Sequence, residues 1–161
     1  MLITFALVIH TVESALPMLP IYGAKLGLAN VITLLAFVMY GFGAALFIGA
    51  TRTILGSLFA GTFMATAFYL SFSGAIISTL AMAGGMYLWR RGKISLVAVS
   101  IMGAVAHNTT QVTVASLLIG NYNLIKVYLP ALLLLAIPTG FFTGLAVTYS
   151  QKALSKIIDD I

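Results

Sequence analysis

The sequence has no cysteine, three acidic residues and eight basic ones among 161. The lack of cysteine excludes disulfide staples and thiolate chemistry, and says nothing decisive about compartment. The scarcity of carboxylates leaves no cluster able to hold a hard divalent cation such as magnesium, which needs several oxygen ligands. No glycine-rich loop followed by Lys and Ser or Thr is present, so the chain carries no P-loop. Charged residues make up 7% of the chain, against about a quarter in an ordinary soluble domain. Eleven charges cannot clothe a soluble surface of this size, and 61% of the residues are hydrophobic. Lipid can cover such a surface, because apolar side chains cost nothing against hydrocarbon. The formal net charge is +5, but the basic residues are sparse and form no stripe, so nucleic acid is not expected as a partner.

With so few charges, the spans are read from the gaps between them. Residues 26–51, 53–89, 94–125 and 127–151 carry none, and a bilayer-crossing helix needs roughly 20 apolar residues. Breakers divide the longer gaps. The chain is expected to be one all-α integral membrane domain, residues 1–161, with six transmembrane helices at about 1–16, 26–40, 42–58, 63–89, 94–119 and 127–150. Helices 2 and 3 are short, and a five-helix arrangement merging part of them is the alternative. Met1 to Leu16 lacks a basic start and a small-residue cleavage site, so it reads as a spanning helix rather than a cleaved signal. Pro130 is expected in the first turn of helix 6, where its missing N–H is harmless, and Pro138 inside that helix predicts a kink.

Six helices put both termini on the side of the turn containing Arg90, Arg91 and Lys93, together with Lys152 and Lys156. The opposite side holds only Lys25 and Lys126. The positive-inside rule then makes the termini cytoplasmic. Tyr40, Tyr87, Trp89 and Tyr149 fall at the inner boundary, and Tyr22, Tyr122 and Tyr128 at the outer one. Small residues recur at four-residue spacing: Ala45 and Gly49, Gly56 and Ala60, Ala81 and Gly85, Gly140 and Gly144. Such pairs let helix backbones approach closely.

The polar residues inside these helices carry the functional argument, because a charge within a bilayer is costly and normally faces a cavity or a partner. Arg52 sits in mid-helix, either as a structural partner of Glu13 or as an anion-binding cation. His107 and Gln111 are one turn apart on one helix face, with Ser100 and Gly103 on its continuation, and Asn108 lies about 100° round the helix. These three side chains either bond between helices or line a substrate. His10 and Glu13 share a face, but two residues are too few for a metal site. Lys25 and Asn30 sit at the outer start of helix 2, where Lys25 either snorkels to headgroups or meets an entering anion. Read on six helices, these groups come to similar depth. They suggest a pocket open to the outside that would suit an organic anion with an apolar body.

The run Lys25-Leu26-Gly27-Leu28-Ala29-Asn30, then Arg52 with Gly56, then Gly103-Ala104-Val105-Ala106-His107-Asn108 with Gln111, resembles the Gx transporter family, often labelled "heptaprenyl diphosphate synthase component I". The resemblance covers nearly the whole chain. That family looks like the substrate-binding S component of energy-coupling factor (ECF) importers, six-helix proteins that capture vitamins or related precursors from outside. The resemblance implies a location in the cytoplasmic membrane. It also implies partnership with a transmembrane coupling subunit and two cytoplasmic ATPases, the ATP being used by those partners and no cofactor by this chain. It implies Lys25, Asn30, Arg52, His107, Asn108 and Gln111 as ligand contacts, with Glu13 beside them, and a vitamin-, quinone- or isoprenoid-precursor-like ligand. In one respect the chain departs from the pattern. Many S components carry Ala-x-x-x-Ala on helix 1 for docking, whereas here Ala6 is followed by His10 and Ala15 stands apart. The alternatives are a membrane subunit of polyprenyl (heptaprenyl) diphosphate synthesis, and a self-contained homo-oligomeric carrier.

Overall fold

The computed structural model describes residues 2–15 and 28–159. Lys25 lies outside the described residues, as do the side chains of His10 and Glu13 and those beyond Ala153. The described residues form six α-helices and no strand: α1 Leu2–Ala15, α2 Asn30–Tyr40, α3 Phe42–Phe59, α4 Thr66–Arg90, α5 Leu96–Ile119 and α6 Asn123–Asp159. Three of them, α3, α4 and Asn123–Ala153 of α6, are long and apolar enough to cross a membrane. The expected six crossings are therefore matched in number of helices but not in length. The described part of α1, 14 residues, and α2, 11 residues, fall short of about 20. α5 is long enough, but His107, Asn108, Thr109, Thr110, Gln111 and Thr113 dilute its apolar character.

α2 and α3 are separate helices, which removes the five-helix alternative. Their joint is the single residue Gly41, at φ 87° and ψ −172°. That conformation is open to glycine and strained for a residue with a Cβ. Gly43 lies inside α3. α2 begins at Asn30 rather than near residue 26. Its 11 residues rise only about 16 Å, roughly half of the hydrocarbon thickness. α6 starts at Asn123, before Lys126, so Pro130 stands two turns inside the helix rather than in its first turn. Lys126 is exposed, so a charge there did not end the helix. Pro138 also lies inside α6, and the Thr139 hydroxyl next to it donates to the Leu135 carbonyl at 2.9 Å.

α2, α3, α4 and α5 close a ring, each touching the next, with α2 also touching α5. α6 lies against α5 and α2, and α1 against α3 and α2. The tightest seams run along α5. Gly140 and Gly144 of α6 bring that helix against the backbone of Ile101 and Val97; a Cβ on either glycine would stand 2.7 Å or 2.6 Å from the facing Cα atom. Between them Ser100 and Thr143 share a 2.6 Å hydrogen bond. On the other side of α5, Gly103 receives Met82 and Gly85 receives Val99. Apolar burial drives no association between helices in lipid, so close packing of this kind and interhelical hydrogen bonds must hold the bundle. The pairing of Gly140 with Gly144 is thus intramolecular packing. Ala60, by contrast, is exposed at the end of α3.

Two apolar clusters bracket the middle of the bundle. One, towards the Gly41 end, joins Leu34, Phe37, Ala45, Met82, Met86, Leu96, Val99 and Val147. The other, towards the opposite end, joins Leu70, Val112, Ala115 and Leu132. The helix directions put both chain ends at the Gly41 end, with the turn between α4 and α5. There the Arg91 guanidinium lies over the Tyr87 ring, 4.2 Å from its centroid, a geometry that suits an amphipathic boundary.

Candidate functional site

Between the two apolar clusters lies a layer of buried polar side chains. Arg52 is 2% exposed, Asn30 6%, His107 3%, and Gln111 and Asn108 0%. A guanidinium cannot shed its charge, so its burial requires acceptors and compensation. One Nη2–H of Arg52 donates to Asn30 Oδ1 at 2.8 Å, joining α3 to the first residue of α2. On α5, the Gln111 amide lies 3.0 Å from His107 Nε2, a hydrogen bond whose donor depends on the His107 tautomer.

Glycine contacts set the register of these two pairs. Gly49 of α3 faces Thr79 of α4 and Thr33 of α2, and Gly74 of α4 faces the His107 ring and the Gln111 side chain. Arg52 is three residues beyond Gly49, about 4.5 Å along its helix, which brings it level with the 74–78 segment of antiparallel α4. His107 abuts the same segment. The Asn30–Arg52 pair and the His107–Gln111 pair therefore enter the layer within about one helical turn of each other. They come from separate walls, because α3 and α5 make no backbone contact among the described residues. The buried stripe of α4 that spans the gap is Ser71, Gly74, Ala75, Ser78 and Thr79, all small. No bulky side chain of α4 intrudes there; Phe68 and Leu70 lie on one side of the stripe, Met82 and Met86 on the other.

The hydroxyls of that stripe divide into two kinds. Ser78 and Thr79 both donate to the Ala75 carbonyl of their own helix, at 3.1 and 2.7 Å. The Ser71 hydroxyl, the Thr33 hydroxyl and the Asn30 Nδ2 are buried without a hydrogen-bond partner. Such groups are rare in native structures and each calls for an explanation. Here they gather in one layer with a buried cation.

Asn108 takes the first of its two expected roles, a bond between helices: its Nδ2 donates to the Leu132 carbonyl of α6 at 2.9 Å, clamping α5 to α6. Lys25 and the Glu13 side chain fall outside the described residues. Sequence reading named Gly49 only as a packing residue and missed Thr33, Ser71 and Gly74. The available signal was the run of small residues at 71, 74, 75, 78 and 79, a helical stripe rather than isolated pairs. An open, apolar groove of about 350 Å³ between α1 and α3, lined by Leu2, Ile3, Tyr40, Ala44, Phe47 and Ile48, lies towards the Gly41 end and contributes nothing to this layer.

Gly74 gives the site a sharp test. A Cβ there would stand 2.9 Å from two atoms of the His107 ring and 3.3 Å from Gln111 Cγ. The ring can swing away, at the cost of its bond to Gln111, about 1 kcal/mol. Replacing a mid-helix glycine by alanine returns about the same amount. Gly74→Ala is therefore expected to leave thermal stability within about 1 kcal/mol of the parent, while weakening any ligand that His107 touches. Thermal unfolding in lipid nanodiscs, paired with ligand titration, separates the two effects.

A buried cation, amide and imidazole groups and spare hydroxyls can bind an oxyanion and read a second polar group across the stripe. Among the described residues no three His, Cys, Asp or Glu side chains gather as a metal site. No curated protein and no solved structure matches the chain. A family model described as heptaprenyl diphosphate synthase component I matches residues 2–150. With nearly its whole length matched and its apolar helices those of a membrane protein, the chain belongs to the heptaprenyl diphosphate synthase component I family.

Proposed function

We propose that this chain is the substrate-capturing membrane subunit, the S component, of an ECF-type importer, and that its ligand is a small organic anion with an apolar body. The observation that carries this reading is the convergence of Asn30–Arg52 and His107–Gln111 on one depth, across a stripe of small residues. A buried charge of this kind ordinarily marks a substrate path in a membrane protein. The ligand enters from the side opposite the chain ends, which lie in the cytoplasm. Energy comes from ATP hydrolysed by two cytoplasmic ATPases, joined to this chain through a transmembrane coupling subunit in the cytoplasmic membrane.

The synthase wording of the family name suggests an enzyme instead. Glu13, Asp159 and Asp160 are the chain's only carboxylate side chains, a poor set for the magnesium-diphosphate chemistry of prenyl transfer. The importer reading predicts that co-expression with a coupling subunit and ATPase pair yields a complex that survives purification. In liposomes, uptake by that complex requires ATP, and the isolated chain binds without turnover. Prenyl transfer by the purified chain would establish the enzymatic role, and ATP-independent uptake by the chain alone would establish a self-contained carrier.

A further inference from the structure

Away from the polar layer, the C-terminal end of α4 carries a cluster of cations. Arg90, Arg91 and Lys93 stand within four residues, and all three are exposed. Between Glu13 and Asp159 the sequence has no acidic residue, so neither α4 nor α5 supplies them with a carboxylate. The turn that holds them is hydrogen-bonded throughout. Gly92 takes φ 70°, its N–H donates to the Trp89 carbonyl at 2.8 Å, and the Lys93 N–H donates to the Leu88 carbonyl at 3.1 Å. α5 then starts at Leu96 behind its Ser95 cap, and a helix start adds partial positive charge to the same end.

The direction of Arg91 points to the kind of anion. A long cationic side chain at a membrane boundary ordinarily reaches out towards water. The Arg91 guanidinium instead lies back over the Tyr87 ring, 4.2 Å from its centroid, one turn closer to the middle of the bundle. Leu80, Gly84, Tyr87 and Arg91 follow one another at spacings of four, three and four residues, so they share one face of α4. That face is open: Leu80 is 48% exposed and Tyr87 55%, and a Cβ on Gly84 would meet nothing within 4 Å. The strip therefore runs from a cation at the boundary, past an aromatic ring, to a notch and an apolar side chain along the membrane segment. An anionic phospholipid has the same order of parts, a phosphate followed by an acyl chain. An acidic protein in the aqueous phase would be met by cations extended into water, and free phosphate has no use for the apolar strip.

We propose that Arg91, Lys93 and Tyr87, with the open face of α4 at Gly84 and Leu80, bind one anionic phospholipid at the Gly41 end of the bundle. Arg91 and Lys93 hold the phosphate, Tyr87 positions Arg91, and the acyl chain lies along Gly84 and Leu80. The site stands independently of the importer reading.

The test is thermal unfolding of the purified full chain in neutral detergent, because a ligand that binds only the folded chain raises the unfolding temperature saturably. Dioleoylphosphatidylglycerol is expected to do so at a midpoint at least about tenfold below that of dioleoylphosphatidylcholine, which carries the same chains. Arg91→Gln and Lys93→Gln are exposed changes that keep the fold, and each is expected to raise the phosphatidylglycerol midpoint about fivefold. Tyr87→Leu keeps every charge and is expected to raise it about threefold. Lys126→Gln removes an exposed lysine at the opposite end and is expected to leave it unchanged. Equal midpoints for the two lipids overturn the proposal, as does a Lys126→Gln shift as large as that of Arg91→Gln. A Tyr87→Leu variant that binds as the parent does overturns the placed cation. An equal rise with inorganic phosphate or with polyglutamate overturns the lipid in favour of a free anion or an acidic protein.

Discussion

Arg52→Ala is expected to lower affinity for an anionic ligand by two to three orders of magnitude, roughly 3–4 kcal/mol, within the usual loss when one member of a buried, hydrogen-bonded charge pair is truncated. The reasoning starts from burial. The guanidinium is 2% exposed and cannot discharge itself. Its Nη2–H donates to Asn30 Oδ1 at 2.8 Å, which orients the group. Arg52→Lys is expected to fall between parent and alanine, because it keeps the charge and loses the planar fork. Glu13→Gln separates ligand binding from structural pairing. If Arg52 acts chiefly as a partner of Glu13, both substitutions destabilise the protein alike. If it anchors the ligand, Arg52→Ala removes binding from a folded protein while Glu13→Gln keeps it. Calorimetric titration with geranic acid, a small organic anion with an apolar body, and thermal unfolding, run on the same samples, give both readings.

The largest effect on stability is expected at the seam between α5 and α6. At Gly144 a Cβ would stand 2.6 Å from Val97 Cα, and at Gly140 2.7 Å from Ile101 Cα. These neighbours are backbone, so no side-chain rotation can relieve the contact and the helices must separate. Alanine at either position is expected to cost about 1–3 kcal/mol by overpacking, and valine more. Separation also stretches the 2.6 Å Ser100–Thr143 bond between them. The two substitutions lie one turn apart in one seam, so their costs will not add. Gly84, in the same membrane segment as Gly85 but with nothing within 4 Å, is the control. Gly84→Ala is expected to be neutral or stabilising by up to about 1 kcal/mol. Unfolding temperatures of the three alanine variants in nanodiscs decide the point, and equal values would show that the seam is not tight.

Helix number was legible because charge and glycine punctuate so apolar a chain: Arg90 to Lys93, Gly120 to Asn123 and Gly41 all fall between helices or at their ends. The ends were less legible. Lys126 resembles a helix boundary, yet α6 begins before it, since an exposed lysine near a helix start costs little. The late start of α2 at Asn30 was hidden in the sequence, because Leu26 to Ala29 is as helix-compatible as the segment from Asn30 onwards. That late start makes Asn30 a helix-terminal residue beside Arg52.

The site was legible as a set of residue types and illegible as a set of directions. Arg52, His107 and Gln111 stand out because polar groups in apolar helices are costly. Asn108 stands out for the same reason, yet it turns to the Leu132 carbonyl. A difference of 100° around α5, visible in the numbering, becomes a difference of role only when the neighbours of α5 are known. Gly74 and Ser71 carry no such signal individually. Small residues are ordinary in membrane helices, and their meaning lies in what faces them.

Small-molecule mass spectrometry of the protein purified gently from its own membranes is the most direct test of anion capture by Arg52. The expected result is an organic acid retained in near-stoichiometric amount by the parent chain and missing from Arg52→Ala prepared in parallel. Identical extracts from the two proteins, or a retained compound without an acidic group, would contradict it.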